Sequence, residues 1–520
     1  MRAPVCSVAM NRTETPPLDD GALHRLWDYT ELFRPDFRFR RQAEGAAVYV
    51  RALLQDGERK SVEPLAGRVP RPPALAVGDP VQAMQNFVNQ SPWDEQKIWK
   101  RYRSYMTKIF STPHAIFVID DPSFPKDGKH SVGVQRQYCG ALGKKDNCQC
   151  AVSLHYVGTR GHFPLAMRLY LPESWVGDPV RLDKAGVPRE FRRMATKGEI
   201  ALELLDQVRG EGLPGQIVVT DAGYGVAQEF RDQLASQGLY FVAGVTEDVV
   251  VFAAAPSWIM PSQGERGRPR SRPRLAEDHP RPEAVKELAQ RQPRQSLSWR
   301  EGTKGALTAK FSWARVWPAH GGATGECVGA EPVWLLVEEQ ADGTLKYAFS
   351  NLPTETPISE GVAYWKSRWP VEQGYLQMKS ELGLDHFEGR SWRGFHHHVC
   401  LVMVAFGFLE SERNRAGATV GPSGDVAEPA EGPGGKKLGW QNSLEILGTR
   451  PVELRAGLPR PPSLSSFAEV GGPETPSSEF CHPRKKSRRQ AGQWHSGSRD
   501  STGPPQKVMV RVSRSTGQGR

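Results

Sequence analysis

Arg368, Glu372 and Lys379 lie in the run KSRWPVEQGYLQMKSELGLDHFEGRSW, where a step of four and then one of seven residues place a base, an acid and a base near one face of a helix. Taken alone, such a trio is a solvated ion-pair network. Two acidic strand ends upstream change the reading. Asp121 closes the apolar run AIFVIDD and Asp221 closes QIVVTD, so three carboxylates stand where a two-metal phosphoryl-transfer centre needs them. Hard Mg2+ ions take oxygen ligands, and few carboxylates suffice because waters and a substrate phosphate complete the octahedra. The chemistry implied is phosphodiester cleavage. One ion would help generate hydroxide or an activated 3′ hydroxyl, and the other would stabilise the leaving oxygen.

Each position also has an ordinary structural role. Asp221 precedes AGYGVAQEF and is equally an N-cap for a following helix. Asp120 and Asp121 are adjacent acids after a buried strand, and they repel unless a cation, a donor or solvent compensates. Successive strand residues face opposite sides, so one of the pair should aim into the site. Asp121 is the choice, with Asp120 in reserve. Arg368 is placed to hold a phosphate through its planar fork, and Lys379 as a flexible point charge. Lys126, Lys129 and Arg136 are weaker backbone contacts, equally well explained as a solvated hairpin.

The elements that must carry these residues follow from patterning. Residues 1–23 read as a flexible N-terminus and 24–110 as a helical region, with ALHRLWDYTELF, AAVYVRALLQ and DEQKIWKRYRSYMTKIF as its helices. In the last, Ile98, Tyr102, Tyr105 and Ile109 recur at helical spacing, while Lys97, Lys100, Arg101, Arg103 and Lys108 cover other faces. That pattern fits a helix packed on a core, or a DNA-gripping one. AIFVIDD, SVGVQRQY, CAVSLHYV and FPLAMRLYL then read as strands with short connections. EFRRMATKGEIALELLDQVR reads as a helix, followed by QIVVTD as a strand, GVAQEFRDQLASQG as a helix and LYFVAGV as a strand. Antiparallel strands followed by helix, strand, helix and strand is the order of a ribonuclease-H-like α/β fold. The core spans 111–413, interrupted by a Pro- and Arg-rich linker over 253–298 and an inserted β region over 299–352. Residues 414–520 read as a largely disordered basic tail.

The formal net charge of +10 sits mostly in that tail. Residues 481–520 hold ten Lys or Arg and one acid, so the other 480 residues carry a net of only +1. Charge alone therefore says little about the folded part. No run of about eighteen apolar residues and no secretory signal pattern is present, which predicts a soluble, unsecreted chain with no membrane partner. Seven scattered cysteines form no disulfide framework, and Cys148 with Cys150 lacks the further ligands of a zinc site. His396, His397 and His398 project about 100° apart on a helix and cannot converge on one ion, so packing and DNA-proximal polarity are expected. GxSxG and Walker-type phosphate loops are absent.

The spacing Arg368, Glu372, Lys379, with the strand-borne aspartates, resembles the DDE transposases of bacterial insertion sequences, in particular the cut-and-paste group with a Tyr-Arg-Glu-Lys signature. The runs DDPSFPKDGKHSVGVQRQYCGALGKKDNCQ and LGLDHFEGRSWRGFHHH add to the likeness, which extends over about 24–413. Trp365 takes the Tyr position, beside Tyr364, and Pro122 stands where the family often has a small hydroxyl residue.

The resemblance implies a ribonuclease-H-like catalytic core with an inserted β subdomain. Asp121, Asp221 and Glu372 are then catalytic metal ligands, with two Mg2+ ions that Mn2+ can replace. Arg368, Lys379 and Trp365 contact DNA phosphate. The implied partners are double-stranded DNA, both terminal inverted repeats and target, and a second copy in a synaptic dimer. The implied place is a bacterial cytoplasm, at the nucleoid. Two other readings stay open: a catalytically inactive transposase-derived DNA-binding protein, and a metal-dependent nuclease without strand transfer.

Overall fold

A strand apolar on both faces must be covered on both, and AIFVID accordingly runs through the middle of a sheet. In a computed structural model the described residues are 21–416, apart from 73–74, 76–77, 111, 113–114, 261–271, 303–304 and 320–330. The expectations for most of the flexible N-terminus and for the tail fall outside them.

Five helices come first: α1 (Gly21–Glu31), α2 (Arg40–Leu53), α3 (Val62–Ala66), α4 (Pro80–Asn89) and α5 (Glu95–Phe110). Strands β1 (Ile116–Asp120), β2 (Ser123–Pro125), β3 (Gln135–Cys139), β4 (Lys144–Gly158) and β5 (Gly161–Leu169) follow. Helices α6 (Glu173–Val176), α7 (Pro179–Ala185) and α8 (Lys197–Gly210) lead to β6 (Ile217–Thr220), α9 (Ala222–Gly225), α10 (Gln228–Ser236) and β7 (Tyr240–Val245). β1 pairs antiparallel with β4 and parallel with β6, β6 pairs parallel with β7, and β5 joins β4. The resulting order β5-β4-β1-β6-β7 is the expected ribonuclease-H-like α/β core. The predicted strand at Ser131 begins later, at Gln135, because Gly133 takes φ +75° and breaks the extended run.

The stretch expected as a linker is partly built. After β8 (Val250–Phe252) come β9 (Trp258–Ile259), β10 (Arg274–Leu275), β11 (Glu283–Ala284) and α11 (Val285–Arg291), which buries Val285, Leu288 and Ala289. Strands β12 (Gln295–Gly302), β13 (Gly305–Pro318), β14 (Val333–Glu339) and β15 (Leu345–Ser350) occupy the expected β insertion. They do not form a separate sheet: β15 pairs antiparallel with β7 and continues the central one. Pairing there satisfies the backbone groups that β7 would otherwise leave open at an edge.

The chain then returns through α12 (Ile358–Lys366), α13 (Trp369–Ser380) and α14 (Trp392–Arg415). α14 is apolar around most of its circumference, as a helix enclosed on all sides must be. It packs against β5 on one side and α1, α2, α4 and α5 on others, so the N-terminal helices and the sheet share one hydrophobic core.

Candidate active site

The three strand-borne acids converge. Asp120 is the last residue of β1, Asp121 follows it, and Asp221 follows the parallel neighbour β6. Each offers a carboxylate oxygen, and these oxygens lie within 4.8 Å of one another. The expectation that Asp120 and Asp121 face opposite ways does not hold, because the strand ends at Asp120 and the alternation ends with it. Asp221 keeps its capping role: it is the N-cap of α9, accepting a bond from the Gly223 N–H at 2.9 Å. That bond uses Oδ1, so capping and ligation are not exclusive.

Burial pushes the Asp120 carboxyl up to about 6, with nearby Arg368 pulling it down and Asp221 and Asp121 adding to the rise. Asp121 is raised too, chiefly by burial, against the pull of Lys197. The buried Tyr224 hydroxyl has no hydrogen-bond partner among the described residues, and all three acids act on it electrostatically. A cluster that favours protons in this way is short of positive charge, and an all-carboxylate donor set suits a hard divalent cation rather than a thiolate-seeking one.

Close packing holds the acids in place. A Cβ on Gly225 would meet the Gly244 carbonyl oxygen at 2.0 Å, and one on Gly244 would meet the Ala222 nitrogen at 2.7 Å, so the turn after Asp221 lies directly on β7. A buried hydrogen-bond chain joins β1 to α13. Ser153, opposite Asp120 on β4, donates to the Asp120 carbonyl at 3.1 Å and also bonds the Tyr375 hydroxyl, which lies 3.2 Å from His155 Nε2. One proton assignment satisfies all three contacts. Ser153 donates to Asp120, Tyr375 donates to Ser153, and His155 donates through Nε2–H to Tyr375. Burial lowers His155 to about 3, which keeps the ring neutral with one proton to give. Gly374 lets α13 seat, since a Cβ there would lie 2.7 Å from His162 Cε1.

The α13 residues are brought to the site unequally. Arg368, the residue before α13, comes within 3.8 Å of Asp120 Oδ1. Lys379 donates to the Ser123 carbonyl at 3.1 Å, on the strand just after Asp121, and its ammonium lies 5.6 Å from the Phe124 ring centroid. Glu372 is in the first turn of α13, exposed, and among the described residues it is not part of the acid cluster. A fourth carboxylate has no reason to join three that already repel one another.

Trp365 is placed differently from the expected phosphate contact. It is buried, and its indole N–H donates at 2.7 Å to Glu338 on β14, which also takes Lys366. A large ring with a single donor is best satisfied against a buried acceptor. Neighbouring Tyr364 bonds Glu360 and lines a cavity of about 350 Å3 with Ala115 and Gln216, at the start of β1 and β6 rather than at their acidic ends.

Other expectations resolve into packing. In α5, Arg103 is wholly buried and bidentate to Glu211, and Arg101 is held by Asp36, so the helix is a core element. The three histidines of α14 are buried among backbone carbonyls and Tyr49: His396 bonds the Trp392 oxygen, His397 lies between those of Val88 and Trp93, and His398 joins Gly383 and Tyr49. Their ring nitrogens are used inside the core, as the packing expectation has it. Lys126 donates to the Phe387 carbonyl. Pro122 sits between β1 and β2, where only its carbonyl is used, accepting from Ala151 at 3.1 Å, so its missing N–H goes unneeded. Cys148, Cys150 and Cys139 are buried together.

Sequence reasoning missed Lys197, whose Nζ pairs with Asp121 Oδ2. The one available signal was its place as the first residue of a helix capped by Thr196 and Glu199, a start site that any packed helix shares.

The family of DDE superfamily endonucleases matches residues 32–306, more than half of the chain, taking in Asp120, Asp121 and Asp221 but not α13. The chain is also 26% identical over 318 residues to the probable transposase for insertion sequence element IS701 of Microchaete diplosiphon, covering 59% of this chain and 69% of that one. No helix among the described residues is long and apolar enough to cross a membrane. With its acids gathered at the ends of the two central parallel strands, the chain belongs to the DDE superfamily endonucleases, whose chemistry is divalent-metal-assisted phosphodiester cleavage.

Proposed function

We propose that this protein is a DNA transposase that cleaves at the ends of its element and joins the freed 3′ end to target DNA. The observation that carries the reading is the convergence of Asp120, Asp121 and Asp221 at adjacent strand ends, in a chain similar to a probable insertion-sequence transposase. Asp121 and Asp221 would hold the catalytic ions, with Asp120 offering a further oxygen and Glu372, in the first turn of α13, as the remaining carboxylate ligand. Two Mg2+ ions are the natural occupants, with Mn2+ as a substitute. When bound, they activate the attacking oxygen and stabilise the leaving one.

The chain's own residues do the rest. Arg368, beside Asp120, turns its fork to a DNA phosphate, and Lys379 adds a point charge one strand away. The Ser153, Tyr375 and His155 chain keeps α13 in register with β1, so that Glu372 and Arg368 start within reach of the reacting phosphate. A pair of chains on two element ends completes the working assembly.

The test is nicking and joining of DNA carrying the element's terminal repeats, in Mg2+ and in EDTA. Wild type cleaves only with metal, and Asp121→Asn, Asp221→Asn and Glu372→Gln each lose at least two orders of magnitude while keeping their fold. Undiminished cleavage in the three variants would sink the assignment.

A further inference from the structure

Three carboxylates share a space of under 5 Å, and two cations from different elements face them. The two contacts are not alike. Arg368 stands 3.8 Å from Asp120, beyond hydrogen-bond distance, whereas Lys197 bonds Asp121 Oδ2 directly. Lys197 is the first residue of α8, and the Thr196 and Glu199 capping box fixes its backbone. Its side chain passes Tyr170, whose ring centroid lies 5.9 Å from Nζ, and it is neither fully buried nor free in solvent. The result is an anchored base on a long flexible stem, with its charge at an oxygen that a metal ion would use.

An ammonium and a divalent cation cannot both sit against the same carboxylate oxygen without strong repulsion. We propose that Lys197 is the resident counter-ion of the metal site. It holds Asp121 in place while the site is metal-free, gives up Oδ2 when a divalent ion arrives, and returns when the ion leaves. It is a positioning residue, acting through Asp121. The proposal rests on the metal-site reading above and adds an exchange step at Asp121: the Lys197–Asp121 ion pair breaks, a carboxylate–metal contact forms, and no covalent bond changes. The device answers a physical need. Without it, folding before metal binding would bring three acids together with only the Arg368 guanidinium, 3.8 Å from Asp120, against them.

The experiment measures Mn2+ binding to the full-length protein by electron paramagnetic resonance, without DNA, for wild type, Lys197→Met, Lys197→Arg and Asp221→Asn. One neighbouring opposite charge changes a carboxylate's affinity for a cation by about ten- to a thousandfold. Lys197→Met is therefore expected to bind Mn2+ at least about tenfold more tightly than wild type, and Lys197→Arg about as wild type does. In EDTA, Lys197→Met melts below wild type, and saturating Mn2+ closes the gap. A second readout needs no variant: labelling of Lys197 by an amine-reactive reagent, followed by mass spectrometry, rises several-fold when Mn2+ is added to wild type. Equal or weaker Mn2+ binding by Lys197→Met, or labelling of Lys197 that Mn2+ leaves unchanged, overturns the proposal. If wild type binds no Mn2+, or Asp221→Asn binds it equally well, the metal-site reading falls and this inference with it.

Discussion

Replacing Tyr375 by Phe removes one oxygen and leaves the shape of the core intact, so its consequences come from hydrogen bonds alone. The hydroxyl joins two groups that are completely buried, Ser153 and His155. Ser153 keeps its acceptor at the Asp120 carbonyl. His155 does not fare as well: its Nδ1 already has no partner among the described residues, and the loss of Tyr375 leaves its Nε2–H without one there. One buried unsatisfied donor costs about 1–3 kcal/mol. In a chain of this length that lowers Tm by about 1–4 °C.

The larger effect falls on activity. Tyr375 is one turn from Glu372 and ties α13 to the strand that ends in Asp120. Misplacing a reacting group by about 1 Å costs up to about 100-fold in rate. Cleavage of pre-nicked end DNA in Mg2+ is therefore expected to slow by tenfold or more at saturating DNA, with little change in the DNA concentration giving half-maximal rate. Ser153→Ala and the double variant complete a thermodynamic cycle, in which the two single costs should exceed the double by about 1 kcal/mol. Strict additivity, with Tyr375→Phe cleaving at the wild-type rate, would refute the claim that this chain positions α13.

Three further outcomes follow. Burial lowers His155 to about 3 and His396 and His398 to about 4, so the native state binds fewer protons than the unfolded chain below about pH 6.5. The stability these rings contribute is full above pH 6.5 and is lost as the pH falls toward 4. The loss amounts to about 2 kcal/mol for each ring by pH 5. Asp120, raised to about 6, works the other way, as do Asp121 and Glu95, which burial also raises, but His397 is lowered to about 3 like His155, so metal-free protein should still lose several kcal/mol between pH 7 and pH 5 in urea titrations; a flat profile would contradict the assignment. Gly225→Ala drives a Cβ into the Gly244 carbonyl and should lift Asp221 from its place, destabilising by about 1–3 kcal/mol and weakening Mn2+ binding, both absent if the turn has room to move. Trp365→Phe takes a donor from buried Glu338 and should cost about 1–3 kcal/mol in stability while leaving DNA affinity unchanged, where a phosphate contact would show as a loss of affinity.

Much of the site was legible along the chain because its signals are local. An apolar run closed by an acid reads as a buried strand delivering a carboxylate, and β1 and β6 do so. The order of strands and helices carried the ribonuclease-H-like core, since antiparallel neighbours need only short connections whereas parallel strands need a crossover. The seven-residue step placed Glu372 and Lys379 on one helix, whereas Arg368 stands just before it as its N-cap.

Other features depend on contacts between distant segments. That Asp120 and Asp121 both join the acid cluster turned on where β1 stops, and pairing with β4 and β6 decides that. Lys197 meets Asp121 across 76 residues, and Trp365 found Glu338 rather than an open phosphate site because β14 had a buried acceptor to satisfy. That β12 to β15 would extend the central sheet was likewise invisible, because an edge is a property of the assembled sheet. The sequence by itself determined which residue types end which elements. Tertiary structure decided which charges face one another, because electrostatic pairing depends on distance in space and not on separation along the chain.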